Sequence, residues 1–495
     1  MMKNKLIVIL MALNFIAPTS DAIEDYWNWN ELSYNYDASR FPAGFLWGTG
    51  SSAFQLEGNQ TARGEFSQNS WTRETFRPQP GIGCDHWNRY KDDIKLMSQA
   101  GIKIYRFSVD WSKIEPQEGI WDQDALDHYV DIARECLRQK IIPVVCLHHF
   151  VIPCWFADLG GFEKVENAYY FDRFAHYVFD AMMPIGVHWW MTFNEPTVVV
   201  LEGYLRGNLA PSKSGYLIKA GHVLKNMLDA HVRIAKVFHQ KDKYAEIGIA
   251  HVMQPLHPYH DYNPLENAIC SYFGKLTNET ILEFFKTGHF NWGSLVKSYN
   301  PEASESIDYM GLNYYTHIII KQDQKKSLIA AAAGGALFIA LAITGVINQS
   351  TALLLSPLLL AASFLGLSSG AHREFEKINH GKSMYPEGLY ACIEKAAAVG
   401  KPIYITENGV SDREGTIRDE FIKKHLYVIS KAIKDGFDVR GYFYWCFING
   451  FEWNEGYAEH YGLCDVDYEN KTCERMLSEN AKPFINLMRE HAARA

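Results

Sequence analysis

Apolar residues along this chain fall into two alternating patterns. One is a short run of mostly consecutive apolar positions. It recurs as FLWGTG (Phe45–Gly50), KIYRFSV (Lys103–Val109), IIPVVCL (Ile141–Leu147), VHWWMTF (Val187–Phe193), EIGIAHV (Glu246–Val252), IDYMGLN (Ile307–Asn313), PIYIT (Pro402–Thr406) and VRGYFYWCF (Val439–Phe447). Strands that face water on one side alternate apolar with polar positions; these runs do not, so they read as strands buried on both faces. The other pattern has helical spacing. In RYKDDIKLMSQAG (Arg89–Gly101), Ile94, Met97 and Ala100 share one face and Gly101 ends the helix. Eight such strands alternating with helices predict an α/β fold, a single (β/α)8 barrel. An open doubly wound sheet would carry a glycine-rich phosphate turn after its first strand, and SSAFQLEG is not one.

One stretch breaks the alternation. Ser327–Leu367 lies between the sixth and seventh strands and contains no charged side chain. As a helix, Leu328–Ile347 would be ~30 Å long, enough to cross the hydrocarbon core of a bilayer. Asn348, Gln349, Ser350 and Thr351 form a polar turn, after which Pro357 interrupts a shorter apolar run. The pattern predicts an apolar helical hairpin over 327–367, inserted into the barrel and associated with a membrane surface. A hairpin packed on the barrel or in a dimer interface is the alternative. At the N-terminus, Lys3 and Lys5 precede the apolar Leu6–Ala17, with Ser20 and Ala22 at positions suited to cleavage. This predicts a signal peptide over 1–22, a barrel domain over 23–495 and export. Lys325, Lys326, His372 and Arg373 flank the insert. Basic flanks favour the cytoplasmic side, which keeps cytoplasmic membrane association as the alternative.

Composition narrows the class. With 47% hydrophobic and 14% aromatic residues among 495, the chain can bury a large core, which excludes global disorder. A net charge of −9 with no basic stripe argues against nucleic acid as a partner. The nine cysteines are scattered without metal-ligand spacing, so neither a metal site nor a disulfide framework is expected. Cys464 and Cys473 flank DVDYENKT and are placed to pair in an oxidising compartment.

Two acidic residues stand where a barrel's chemistry sits, at the C-terminal ends of strands. Glu195 ends HWWMTFNE before Pro196, and Glu407 ends PIYITE before Asn408 and Gly409. A lone strand-end glutamate can simply cap the next helix. Two of them, on strands four and seven across the barrel mouth, suit glycosidic bond cleavage. That reaction needs one carboxyl to protonate the leaving oxygen and another to attack or direct water.

TFNEP and ITENG resemble the acid/base and nucleophile motifs of glycoside hydrolase family 1, the β-glucosidase-like retaining enzymes. FLWGTGSSAFQLEG, CDHWNRYKDDIKLM, YRFSVDWSKIEP, LHHFVIPCWF, GLNYYT, MYPEGLY, GFEWNEGY and HYGLCDVD follow in family order, so the resemblance spans Phe41 to Met488 apart from the insert. It implies a retaining β-glycosidase with no cofactor. Glu195 would be the general acid/base and Glu407 the nucleophile, with their carboxyl groups ~5–5.5 Å apart. Arg106 and Tyr315 match the positions that hold the nucleophile ionised. Asn194 matches the donor to the sugar 2-hydroxyl. Gln55, His149 and Trp453 match holders of the 3- and 4-hydroxyls, and Glu452 a residue bridging the 4- and 6-hydroxyls. Trp445 matches the aromatic wall beneath the ring, and Asn313, in GLNYYT, joins the substrate-binding set.

The chain departs from the family pattern at Asn449, where an Asp is frequent, and at Phe150, where Trp is frequent. The first change is expected to loosen its loop, and the second to alter packing. An acidic Glu452 would repel a sugar phosphate, so the expected substrate is a non-phosphorylated β-glycoside, either a small molecule or a lipid-linked one. Klotho-like members of the family bind without hydrolysis, but they lose one or both carboxylates that this chain keeps. Transglycosylation through the same covalent intermediate stays open.

Overall fold

The computed structural model describes residues 27–58, 69–322, 367–369, 378–379, 382–468, 470 and 472–494. The signal-peptide reading, and the hairpin reading apart from Leu367, lie outside the described residues. All eight predicted strands form. They are β1 (Leu46–Gly50), β2 (Ile104–Ser108), β3 (Ile142–Cys146), β4 (Trp189–Asn194), β5 (Glu246–Val252), β6 (Tyr309–Asn313), β7 (Ile403–Asn408) and β8 (Val439–Tyr444). Each pairs in parallel with its sequence neighbours, and β8 returns to β1, closing a (β/α)8 barrel. The principal helices of the barrel unit are α1 (His86–Ala100), α2 (Gln123–Arg138), α3 (Ala168–Met182), α4 (Leu217–Lys241), α5 (Thr280–Thr287), α6 (Pro386–Ala397), α7 (Arg418–Lys434) and α8 (Lys482–Arg494).

The local reasons are legible. Helix α1 buries Tyr90, Ile94, Met97 and Ala100 at helical spacing, and Gly101, at φ 93°, closes its C-terminus by donating to the Met97 and Ser98 carbonyls. It starts at His86, earlier than the apolar spacing indicates, because the first turn buries His86 and Trp87. Inside the barrel, Ile104, Val144, Cys146, Met191, Ala250, Tyr309, Tyr404 and Phe443 pack as one cluster. Large rings fit there because glycines face them. A Cβ on Gly248 would lie 2.6 Å from the Tyr309 ring, closer than packed atoms tolerate.

Two features place the catalytic end. The short helix Ala53–Glu57 after β1 is pinned by Glu57, whose Oε2 accepts from Lys113 Nζ and Tyr129 OH, both at 2.9 Å, in a buried ion pair. The second feature is a register shift in each strand that ends at a glutamate. On β4 the shift falls between Met191 and Asn194, and on β7 between Ile405 and Glu407. Each inserts one extra residue, the device by which a bulge re-aims side chains at a barrel rim.

A second compact unit comprises the described parts of 1–33, 255–274 and 317–384. Within it, Ile318–Gln322 pairs in parallel with Leu256–Pro258 and antiparallel with Leu367–Ser369, and Ile269 and Cys270 of the helix Pro264–Gly274 pack with Ile320. Gln322 and Leu367 are direct partners, so the backbone on the two sides of 323–366 meets at one point. Among the described residues no helix is long and apolar enough to cross a membrane. All nine cysteines are free, so Cys464 and Cys473 do not form the pair their spacing allows.

Candidate active site

The structure brings the two carboxylates together in contrasting settings. Glu407, at the end of β7, accepts from Arg106 Nη2 through Oε1 and from Tyr315 OH at 2.5 Å through Oε2. Arg106 comes from β2 and is fully buried, so this cation and the carboxylate neutralise each other where water cannot. Tyr315 remains protonated: burial, then the Glu407 charge, raise its hydroxyl pKa well above the usual value.

Glu195 is buried at the end of β4 and has no cation bonded to it among the described contacts. Its oxygen Oε1 accepts from Asn313 Nδ2 at 2.7 Å. Burial first, then the Glu407 charge, push its pKa up to about 8, against the opposing pull of the Asn313 donor and Arg106. Glu195 itself sits at φ 46°, a left-handed conformation costing a side-chain-bearing residue about 1–3 kcal/mol. Its N–H donates to the Ala250 carbonyl at 2.8 Å, and its carbonyl accepts from Val198 at 2.9 Å, which hold that geometry.

Asn194 links these groups. Its Oδ1 accepts from Arg106 Nη1 at 2.6 Å and from Asn313 Nδ2 at 3.2 Å, and its Nδ2 lies 3.2 Å from His149 Nε2. Burial keeps His149 neutral, and its Nδ1 has no protein partner among the described residues. The imidazole lies nearly parallel to Trp445 (5.9 Å, 23°) and to Trp453 (6.3 Å, 16°), and Arg106 lies 5.4 Å over the Trp445 ring. Trp445 Nε1 donates to Glu452 Oε1 at 3.3 Å. Gln55, expected to hold sugar hydroxyls, is buried and its amide already has protein partners. Nε2 donates to the Phe451 carbonyl at 2.8 Å and Oε1 accepts from Ser52 at 2.7 Å, so it ties the short helix Ala53–Glu57 to the loop carrying Glu452 and Trp453. All the sequence-predicted site residues therefore lie in the barrel unit, joined by a network of hydrogen bonds and ring contacts.

Two further residues at the mouth were given no role from the sequence: Arg77, outside the quoted motifs, and Tyr461, inside HYGLCDVD. Arg77 donates to the Asn208 carbonyl (2.5 Å), the Gly207 carbonyl (3.1 Å), Ser212 Oγ (2.6 Å) and Asn454 Oδ1 (2.8 Å), pairs with Glu74 and lies 4.8 Å over Trp71. It clamps the loops after β1, β4 and β8. Tyr461 packs with Trp445, Cys446 and Tyr315. Asn449 corrects an expectation. It does not loosen its loop: Nδ2 donates to Asp465 Oδ1 at 2.7 Å, Oδ1 accepts from the Gly462 N–H at 2.5 Å, and its backbone carbonyl accepts from Tyr468 OH at 2.8 Å. Phe150 packs its ring on His149 at 4.9 Å and Trp453 at 5.2 Å, a packing role as expected.

Known proteins resemble this chain over nearly its whole length. Beta-glucosidase A of Thermotoga maritima is 29% identical over 495 aligned positions, covering 92% of this chain and 99% of its own. A 6-phospho-beta-galactosidase of Clostridium acetobutylicum is 28% identical, covering 91% and 98%. Among solved structures, a beta-glycosidase from Pyrococcus horikoshii superposes with a TM-score of 0.75 at 32% identity, covering 91% and 95%. Beta-glucosidase from Thermotoga maritima in complex with deoxynojirimycin does so at 0.74 and 27%, covering 91% and 99%. The family model for glycosyl hydrolase family 1 matches residues 37–493. The chain belongs to glycosyl hydrolase family 1 and is a glycoside hydrolase.

Proposed function

We propose that this enzyme is a retaining β-glycosidase acting on non-phosphorylated β-glycosides, with Glu407 as nucleophile and Glu195 as general acid/base. The observation that carries this reading is the opposite treatment of the two carboxyls. Glu407 is held by a buried guanidinium and a phenol, whereas Glu195 is pushed up to about 8 by burial and by Glu407. In the first step Glu407 attacks C1, Glu195 gives its proton to the glycosidic oxygen, and the bond from C1 to that oxygen breaks. The products are a glycosyl ester on Glu407 and a free alcohol. Esterification removes the Glu407 charge that helped raise Glu195, so the Glu195 carboxylate left by that proton transfer is no longer opposed by a like charge. It then takes a proton from water as the water attacks C1 and the ester bond breaks, restoring both carboxyls with net retention. Asn194, fixed by Arg106 and Asn313, offers Nδ2 to the 2-hydroxyl, and His149 offers the ring nitrogen that lacks a protein partner.

The choice of sugar over sugar phosphate rests on charge. Glu452, Glu455 and Glu459 lie close enough to Tyr461 to raise its hydroxyl pKa after burial has done so. A phosphate on the 6-position would meet these carboxylates beside Trp445. Like charges at a binding surface cost several kcal/mol, so a 4-nitrophenyl β-glycoside should exceed its 6-phosphate in kcat/KM on the order of 10²-fold or more. Equal or greater activity on the phosphorylated substrate overturns this part of the reading.

The uncharged 327–367 favours a membrane-associated enzyme working on lipid-linked or other amphiphilic β-glycosides, exported if 1–22 is cleaved. The pairing of Gln322 with Leu367 supports a segment that leaves and returns at one point, as an anchor on a folded unit must. The full chain should sediment with phospholipid vesicles after a high-salt wash, and a chain lacking 327–367 should not. Equal partition of the two excludes the anchor.

A further inference from the structure

Thr406 stands immediately before Glu407 and is fully buried. In a regular strand, consecutive side chains point to opposite faces, so Thr406 would turn away from the site. The bulge changes this. Ile405 pairs with Leu312 and Glu407 with Asn313, which leaves Thr406 as the extra residue. Both side chains then reach the same network: Glu407 through Arg106, and Thr406 through Asn313, whose Oδ1 accepts from Thr406 Oγ1 at 2.6 Å. Room for the threonine comes from the neighbouring strand. A Cβ on Gly311 would lie 2.9 Å from Thr406 Oγ1 and 3.0 Å from its methyl group.

A carboxamide has nearly the same shape either way round, and only its hydrogen-bond partners decide which end faces where. Thr406 donates to one end of Asn313. The other end, Nδ2, therefore meets Glu195 Oε1 at 2.7 Å and Asn194 Oδ1 at 3.2 Å. We propose that Thr406 is a positioning residue of the reaction: its hydroxyl fixes the Asn313 amide so that Glu195 meets a donor. The proposal rests on the reading of Glu195 as the acid/base. A donor favours the carboxylate form, which the second step needs. Without the Thr406 hydroxyl the amide keeps only the longer contact to Asn194 Oδ1, at 3.2 Å, to hold it this way round, and each turn of its oxygen to Glu195 favours the protonated form and repels the carboxylate. The other groups acting on Glu195 are Glu407 from β7, Arg106 from β2, Glu452 from the loop after β8, and Tyr315 beyond β6, and none of them is altered by the change.

The test compares Thr406→Val, which keeps the shape and loses the donor, with Thr406→Ser, which keeps the donor. With a 2,4-dinitrophenyl β-glycoside, whose leaving group needs no acid, Thr406→Val should retain the burst of dinitrophenol, while steady turnover falls about 10- to 100-fold. Azide should relieve that fall, because it needs no base. It forms a C1–N bond as the ester bond to Glu407 breaks, the electron pair returns to Glu407, and β-glycosyl azide is released. With an unactivated substrate the basic limb of kcat/KM should move to higher pH in Thr406→Val and stay at the wild-type position in Thr406→Ser. If Thr406→Val folds poorly, Asn313→Ala removes the same donor and should show the same azide-relieved defect in the second step. Wild-type turnover in Thr406→Val, or a loss shared by both steps and untouched by azide, overturns the proposal. Glu195→Ala separates the two ideas: if azide rescues it while Thr406→Val behaves as wild type, only the role of Thr406 falls. If azide does not rescue Glu195→Ala, the reading of Glu195 falls first.

Discussion

Replacing Glu407 with glycine should lower kcat by on the order of 10⁴-fold or more, since it removes the group proposed to form the covalent intermediate. The loss should be chemical rather than a failure to bind, because His149, Trp445 and Glu452 remain in place. It should also be recoverable in a specific stereochemical sense. With an activated β-glycoside, added azide or formate can enter from the face that Glu407 vacates. Azide should then yield the α-glycosyl azide, opposite in configuration to the natural product. The variant should also be less stable, because Arg106 is fully buried and loses the carboxylate it pairs with. Breaking such a pair from one side costs about 3–5 kcal/mol. A thermal melt alongside the kinetics separates that effect from the chemical one. Substantial residual hydrolysis with unchanged stereochemistry would mean that another group attacks C1.

Replacing Glu195 with alanine should give a complementary result. With a poor leaving group, the loss should be about 10²- to 10⁴-fold, the range a positioned general acid contributes. With dinitrophenyl as leaving group, the first step should be nearly unaffected and the second should become limiting. Azide should restore turnover and give the β-glycosyl azide, because attack occurs on the face where Glu195 stood. The pH profile follows from the direction of the shift. In the proposed mechanism the acid form of Glu195 is the active one in the free enzyme, and its pKa is raised to about 8. Wild-type kcat/KM on an unactivated glycoside should therefore hold below that value and fall as pH rises through it. The alanine variant should lack this basic limb. A limb that persists unchanged in the variant would assign the titration to a different group.

How much of this was legible in the sequence follows from what kind of interaction each feature needs. The eight strands were, because a parallel strand covered on both faces must be apolar almost throughout, and such runs stand out between helical spacings. Glu195 and Glu407 were too, because each follows directly on a buried run at the end where barrels carry their chemistry. The bulge that turns Thr406 inward was not. It is a property of the pairing of β7 with β6, and PIYIT reads as an ordinary strand. Arg77 was hidden for a different reason. Its partners at Gly207 and Asn454 lie 130 and 377 residues away, and nothing local to FRPQP marks it as a clamp. Asn449 was misjudged because a change from acid to amide looks like a lost ion pair. In the folded chain the amide's extra donor finds Asp465, and its carbonyl oxygen receives the Gly462 N–H. Gln55 shows the same limit on a smaller scale, since motif position does not reveal how many of an amide's hydrogen bonds are already taken by the protein.

The central claim is that Glu407 forms a covalent bond to C1 of a β-glycoside. A 2-deoxy-2-fluoro β-glycoside with a dinitrophenyl leaving group tests it most directly, because the fluorine slows both steps while the activated leaving group speeds formation of the intermediate, which therefore accumulates. After incubation and digestion, mass spectrometry should find one added fluoroglycosyl group, carried by the peptide containing Glu407 and absent from the Glu407→Gly variant. An unlabelled protein that nonetheless hydrolyses ordinary β-glycosides, or a label borne by a peptide without Glu407, contradicts the account.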